Sequence, residues 1–420
     1  KAKYSQQVHE FFTMHEFRQT DVPKSASIHY YKGLGSSTRN EAREYFQRRS
    51  ELTRTCTITD SDDHAMLTTM FGKSNANTRK QLIRDHIIAP MNSLSGKTVS
   101  AADFVKSELL YFSAYDVARS IPNIMDGLKT SQRKVIYIAK DIKEVKVAQL
   151  ASTVALKTSY LHGEQSLADC IITLAQDFVG SNNHPLLKGI GQFGSRLQGG
   201  KDAASPRYVH VQPSPFMKAV IMREDDHILH YLEEEGVTVE PNYFLPLIPL
   251  VLINGARGIA TGFSTFIPCH SLKSVVNAVQ DCINKQPMRE IEVAYNHFNG
   301  TIVDDEKGCV THGKMRAHGG KLIITELPVY TWTESFISKL ESCKHITKVV
   351  SRCDDVSVHI EIKTDDTAAV QKMLTSQLST KNMFLFDANG ILQLFESAYQ
   401  IVEHFVQVRL EFYMKRIQYE

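Results

Sequence analysis

The sequence has no apolar run long enough to span a bilayer, and its first residues lack the charged, apolar and small-residue succession of a signal peptide. No membrane partner is therefore expected. It also lacks any C-x-x-C pair: the seven cysteines, Cys56, Cys170, Cys269, Cys282, Cys309, Cys343 and Cys353, are scattered. That spacing argues against zinc and for inert core thiols in a reducing, intracellular compartment. Neither sign of charge is in excess, since 48 Lys and Arg face 46 Asp and Glu. A nucleic-acid surface would have to be a local patch. No low-complexity segment or repeat is apparent. What remains is an ordinary globular composition, 42% hydrophobic and 22% charged over 420 residues, enough for roughly two to four domains with their own cores.

The stretch richest in chemistry is I-G-Q-F-G-S-R-L-Q-G-G-K-D-A-A-S-P-R-Y-V-H, residues 190–210. Gly191, Gly194, Gly199 and Gly200 let backbone approach a bulky ligand. Gln192 lies among them, and Arg196, Lys201 and Arg207 carry charge suited to phosphate. Pro206 fixes the approach to Arg207 and Tyr208. A phenol is a poor nucleophile at neutral pH unless nearby cations stabilise the phenolate, and Arg207 is placed to do so. A lone tyrosine or a glycine-rich loop would more often serve packing or turn chemistry.

Other segments frame this loop. Near the start, I-H-Y-Y-K-G-L-G-S-S-T-R-N-E-A-R-E-Y-F (28–46) predicts a strand over 28–31 and a phosphate-tolerant turn at Lys32-Gly33-Leu34-Gly35. A helix then follows, capped by Ser36, Ser37 or Thr38 with Glu41 in its first turn. Residues 100–119 read as a helix packed through Phe104, Leu109, Phe112 and Ala114, ending before Pro122. In I-P-N-I-M-D-G-L-K-T-S-Q-R-K-V (121–135), a turn at Asp126-Gly127 leads to a helix opening near Thr130. Lys129, Arg133 and Lys134 sit at its positive end, where cations are disfavoured unless an anion such as DNA phosphate meets them. Two short helices broken near Ser152 come next, then a helix from Ser166 through Val179 with Leu167, Ile171, Leu174, Ala175 and Phe178 as its core stripe. Residues 245–253 read as apolar, with a buried strand after Pro249. N-G-A-R-G-I-A-T-G (254–262) reads as strand-turn-strand with Asn254-Gly255 as the turn signal. Residues 271–389 look mixed α/β: a strand at 322–325, a helix capped by Thr333 carrying Phe336, Ile337 and Leu340, and a strand at 356–362. A last helix follows Gly390, with a seam of Ile401, Phe405, Val408 and Phe412.

Five of these segments, in unbroken order, resemble type IIA DNA topoisomerases. Q-F-G-S-R-L-Q-G-G-K-D-A-A-S-P-R-Y resembles the run up to the active-site tyrosine, and K-G-L-G-S-S-T-R-N-E-A a motif near the end of the metal-binding Toprim domain. The 121–135 segment is similar to I-P-S-x-x-D-G-L-K-P-G-Q-R-K-V, with Thr130-Ser131 for Pro-Gly. S-Y-L-H-G-E (159–164) resembles Y-H-H-G-E, with Leu161 for a histidine, and 254–262 resembles N-G-A-E-G-I-G-T-G, with Arg257 and Ala260 as departures. The resemblance implies an α+β multidomain breakage-reunion region: the C-terminal part of Toprim and a linker (1–99), a winged-helix, CAP-like domain with the tyrosine (100–250), an α/β tower (251–395) and the start of a coiled coil (396–420). It makes Tyr208 the nucleophile, aided by Arg207. Lys32, Lys129, Gln132, Arg133, Lys134, Lys157, His162, Gln192, Arg196 and Lys201 become DNA contacts, and Ile259 a side chain that enters a base step and bends the duplex. Partners are double-stranded DNA and a second copy in a homodimer, and the cofactors are Mg²⁺ and ATP. The family's Mg²⁺ carboxylates, on E-G-x-S and D-x-D-x-D-G stretches upstream of the K-G-L-G motif, do not occur here. Asp60-Ser61-Asp62-Asp63 lies downstream and reads as a solvated turn, so the chain is expected not to hold the metal or cleave DNA by itself. ATP would bind on an N-terminal domain absent from this chain. The departures lean towards a divergent, viral member; the expected location is intracellular, in the nucleus, or in the cytoplasm or viral factory of an infected cell if the member is viral. A non-catalytic winged-helix DNA-binding or architectural protein stays open as an alternative, as does a tyrosine recombinase with a 3′ link.

Overall fold

The computed structural model describes residues 1–12, 14–23, 25–29, 31, 37–88, 94, 96–234 and 236–420. Lys32 and its glycine turn lie outside the described residues. Two compact units emerge: residues 1–118 with 260–263, and residues 119–259 with 264–420. The first therefore runs past position 99. The reason is local, because the Asp63 carboxylate accepts from Ala102 N at 2.8 Å and ties the helix that begins at Ala101 to that unit.

In the first unit, Ala2–Tyr4 pairs antiparallel with Gln7–His9 and Ser27–Ile28. Thr38 is the residue that caps Arg39–Gln47: its hydroxyl accepts from Glu41 N at 3.3 Å, and Glu41 accepts in return from Thr38 N at 2.8 Å. The acidic run at 60–63 is not a solvated turn. Asp60 caps the helix Ser61–Phe71, while Asp63 is fully buried and accepts from Thr59 N at 2.9 Å as well as from Ala102 N. Those backbone donors hold its carboxyl below the usual range. From Ala101 to Ser120 the helix includes a π-helical turn, Val105–Leu109. Its extra residue shifts the register, so Val105, Leu110 and Val117 are buried while Phe104 and Phe112 are exposed, contrary to the face the spacing predicts.

The second unit opens with three helices, Thr130–Ala139, Val147–Lys157 and Glu164–Ala175. They share a core with a three-stranded antiparallel sheet in which His210–Pro213 lies between Val145–Lys146 and Leu187–Ile190. Val135, Leu150, Leu167, Ile171, Leu187 and Val211 are among the side chains that fill it. No break occurs at Ser152, whose exposed hydroxyl turns back on Ala148 O at 3.2 Å within one continuous helix. The third helix starts two residues before Ser166 and stops at Ala175. After Pro249 the chain forms a helical turn, Leu250–Ile253, with all four side chains buried, an outcome a short apolar run does not distinguish from a strand. It leads through Asn254 and Gly255 into a hairpin, Ala256–Ala260 with Phe263–Ile267. The reversal falls at 261–262 and not at Asn254-Gly255. Gly255 has φ +65°, and a Cβ there would stand 2.6 Å from Ile267 O.

Farther on, Lys321–Glu326 lies between Lys314–His318 and Ile360–Thr364, and Ile346–Ser351 closes the sheet. Helix Thr333–Glu341 covers it with Phe336 and Leu340; Trp332, not Thr333, is the residue before its first turn. The strand expected over 356–362 begins at Ile360, and Val356 is exposed. Gly390 sits in a hairpin, Met383–Phe386 with Leu392–Phe395, before the last helix, Ala398–Tyr419, which buries Ile401 and Phe405. Six cysteines are buried or half-buried and Cys56 is exposed. Burial pushes the Cys269 thiol up to about 12. No described helix is long and apolar enough to cross a membrane.

Candidate nucleic-acid interface

Residues 191–209 leave the sheet after Ile190 and re-enter it at His210, two positions paired across the strands. Between them the loop is closed on itself by polar atoms. Ser195 N donates to Asp202 Oδ1 at 2.9 Å, Gly200 N to Ser195 O at 2.9 Å and Ala204 N to Gln192 O at 3.0 Å. Gln176, just past the third helix, inserts its amide and donates to Phe193 O at 2.9 Å and Gly200 O at 3.3 Å. That close approach explains Gly200, where a Cβ would fall 2.3 Å from the Gln176 amide nitrogen. Gly199, at φ +65°, lies flat on Trp332, 2.3 Å from a Cβ placed there. Thr333 N and Glu334 N donate to the carbonyls of Arg196 and Leu197 at 3.2 and 3.1 Å. The end of the loop is fixed as well: Ala148 N donates to Pro206 O at 3.1 Å and Val147 N to Val209 O at 3.0 Å, supplying partners for the first turn of Val147–Lys157. Upon this frame Tyr208 is 72% exposed while its neighbour Val209 is buried.

Three cations expected to meet phosphate are spent inside the fold. Arg133 is buried against Asp126, with Nε–Oδ2 at 2.6 Å and Nη2–Oδ1 at 3.0 Å, and also donates to Leu128 O. Lys134 is buried between Thr158 O at 2.8 Å and the Glu240 carboxylate at 2.9 Å. Arg196 is buried in an ion pair with Glu326. A charge neutralised in the interior serves a ligand only by breaking its pair, so these three are less available to phosphate than the sequence suggests. Arg207, Lys201, Lys157 and Gln192 are exposed. Lys129 is half-buried, and burial lowers its ammonium, with the charge of Arg257 adding to the shift. Gln132 accepts from Lys129 N at 2.9 Å, so it closes the helix start. His162 is half-buried, its ring edge-on to Tyr160 at 5.3 Å.

The hairpin presents the other prominent side chain. Ile259 is 88% exposed, more than any other large hydrophobic among the described residues. A core role is thereby removed. At its base, His270 is buried, with N and Nδ1 at 2.8 and 3.1 Å from Leu252 O, and desolvation lowers its ring to about 4.

Sequence reasoning missed Gln176, Glu326 and Trp332, the groups that hold the tyrosine loop. A glycine pair demands close neighbours, but nothing local says which. The neighbours lie 24 residues from Gly200 and 130 from Arg196.

Residues 119–420 match the family model of the DNA gyrase/topoisomerase IV A subunit; residues 1–117 match that of the C-terminal associated domain of TOPRIM. The DNA topoisomerase 2 of Arabidopsis thaliana is 38% identical over 445 residues, covering 99% of this chain and 30% of that protein. That of Plasmodium falciparum is 37% identical over 444 residues, covering 100% of this chain and 32% of that protein. A solved structure, the Plasmodium falciparum topoisomerase II DNA-binding, cleavage and re-ligation domain, matches with TM-score 0.83 and 37% identity over 100% of this chain and 60% of that one. The chain thus spans about a third of the length of the curated relatives it matches.

Proposed function

The chain belongs to the type II DNA topoisomerase family, and on that premise we propose that it is the DNA-binding and strand-cleaving part of such an isomerase. The observation that carries the reading is the exposure of Tyr208 on a loop otherwise locked in place, since a packing tyrosine would be buried. Its phenolic oxygen bonds to a backbone phosphorus as the P–O3′ bond breaks. The phenolic proton is released and the departing O3′ takes one up, giving a 5′-phosphotyrosyl link and a 3′-hydroxyl. One phosphodiester replaces another, so resealing is the reverse step. Arg207, exposed beside Tyr208, offsets charge on the phosphoryl oxygens. One tyrosine opens one strand, so passage of a second duplex calls for a homodimer. Exposed Arg207, Lys201 and Lys157, with Lys129, meet backbone phosphates, and Ile259 enters a base step.

In this reading the three helices with their antiparallel sheet form a winged-helix module, residues 251–395 a tower and the final helix the start of a coiled coil. Bound Mg²⁺ would supply Lewis-acid stabilisation of the phosphoryl oxygens, and ATP would drive the gates. No group of three or more His, Cys, Asp or Glu side chains among the described residues could hold a metal ion. The resemblance puts the Mg²⁺ carboxylates on stretches upstream of the K-G-L-G motif, and in this reading the chain alone does not cleave. The relatives named above are eukaryotic, which supports a eukaryotic enzyme over a viral one.

The intact protein carrying Tyr208→Phe is expected to bend DNA yet leave no covalent adduct on denaturing gels, while the parent's trapped ends carry a 5′ link. An adduct retained by the variant removes Tyr208 from its role. A parent that binds but never forms one is the non-catalytic DNA-binding module.

A further inference from the structure

Arg257 stands two residues before Ile259 on the strand Ala256–Ala260, and side chains two apart on a strand share a face. The opposite face is closed. A Cβ at Gly258 would lie 2.4 Å from the Ser120 carbonyl oxygen, so the strand lies against that backbone and both Arg257 and Ile259 turn outward and are exposed.

The guanidinium is nevertheless held. Its carbon sits 4.5 Å from the centre of the Tyr330 ring and 6.0 Å from that of Phe266, and these two rings meet edge to face at 6.0 Å. Seating on aromatic faces orients the planar fork while leaving its N–H donors available. No carboxylate pairs with Arg257 or Lys129 among the described residues. A guanidinium held in place with no carboxylate paired to it is an arrangement that an anion completes.

We propose that Arg257, seated on Tyr330, grips a DNA backbone phosphate next to the base step that Ile259 opens. The inference rests on the reading of Ile259 as the wedge. Its consequence is that the wedge carries its own electrostatic anchor. The contact is to backbone, so it adds affinity without sequence preference. A glutamate, which the resemblance to N-G-A-E-G-I-G-T-G leads one to expect at this position, would repel the same phosphate.

Salt titration of DNA binding by the intact protein tests it. Arg257→Gln is expected to reduce the slope of log affinity against log salt by about 0.9, to weaken binding alike on unrelated sequences, and to leave melting unchanged because the side chain is exposed. Arg257→Lys should keep the slope. A parental slope in Arg257→Gln overturns the proposal. Ile259→Ala, measured alongside for bending by end-to-end energy transfer, separates the two readings. Unchanged bending there removes the wedge itself, whereas reduced bending with a parental Arg257→Gln slope removes only the phosphate contact.

Discussion

Tyr208 and Ile259 are both exposed in the second unit, and the fold holds them out by opposite means. Under Tyr208 lie directional polar latches: Asp202 on Ser195, the Gln176 amide on two carbonyls, and the buried pair of Arg196 with Glu326. Beneath Ile259 lie a glycine pressed on a carbonyl, an aromatic seat for Arg257 and a neutral buried histidine. The difference matches the work that the proposed function gives each. In-line attack tolerates little misplacement of an oxygen, and hydrogen bonds with fixed geometry supply that precision. A wedge needs only to project and not to fold back, for which stiff backbone suffices.

Loss of Glu326 should separate the two regions most sharply. Glu326→Ala leaves Arg196 buried without its partner and frees Asn299 N and Leu327 N, which the carboxylate also holds at 3.0 and 2.9 Å. A loss of about 3–5 kcal/mol is expected in urea unfolding, with covalent adduct reduced more than DNA bending; an adduct yield equal to the parent's would show that the latch does not set the tyrosine. Acid should act on the other region. The folded ring of His270, at about 4, lies below its ordinary value of 6.5, so between those pH values the unfolded chain binds a proton that the fold refuses. Its contribution is whole above about pH 6.5 and lost as pH falls towards 4, on the order of 3 kcal/mol. Urea midpoints from pH 7 to pH 5 should fall less in His270→Gln than in the parent, and parallel curves would contradict this. The smallest change in stability is expected for Ile259→Ala, within about 0.5 kcal/mol because the side chain is solvent-exposed, although DNA bending drops. A strongly destabilised variant would mean that the isoleucine packs after all.

Local signals were legible wherever the chain's own chemistry decides. Thr38 and Glu41 close a helix start by reciprocal hydrogen bonds, Asp126-Gly127 turns the chain into Thr130–Ala139, and Pro122 follows the end of a helix. Misreadings cluster where a distant partner decides. The apolar run 250–253, buried on all four side chains, took the helical turn that its composition does not distinguish from a strand, and the face of the helix after Ala101 moved with one π-helical turn. Asp63 is a buried acceptor because Ala102, 39 residues away, brings it a donor.

The sequence by itself determined the family and the glycine-bearing loop that carries Tyr208, since motif order and turn chemistry are written in neighbouring residues. Only the tertiary structure decided which cations face solvent. Arg196 and Arg207 belong to one short loop and have the same side chain, yet Arg196 is buried beside a carboxylate 130 residues away and Arg207 is not. Charge is a property of the residue, but its availability depends on what the rest of the chain brings to it.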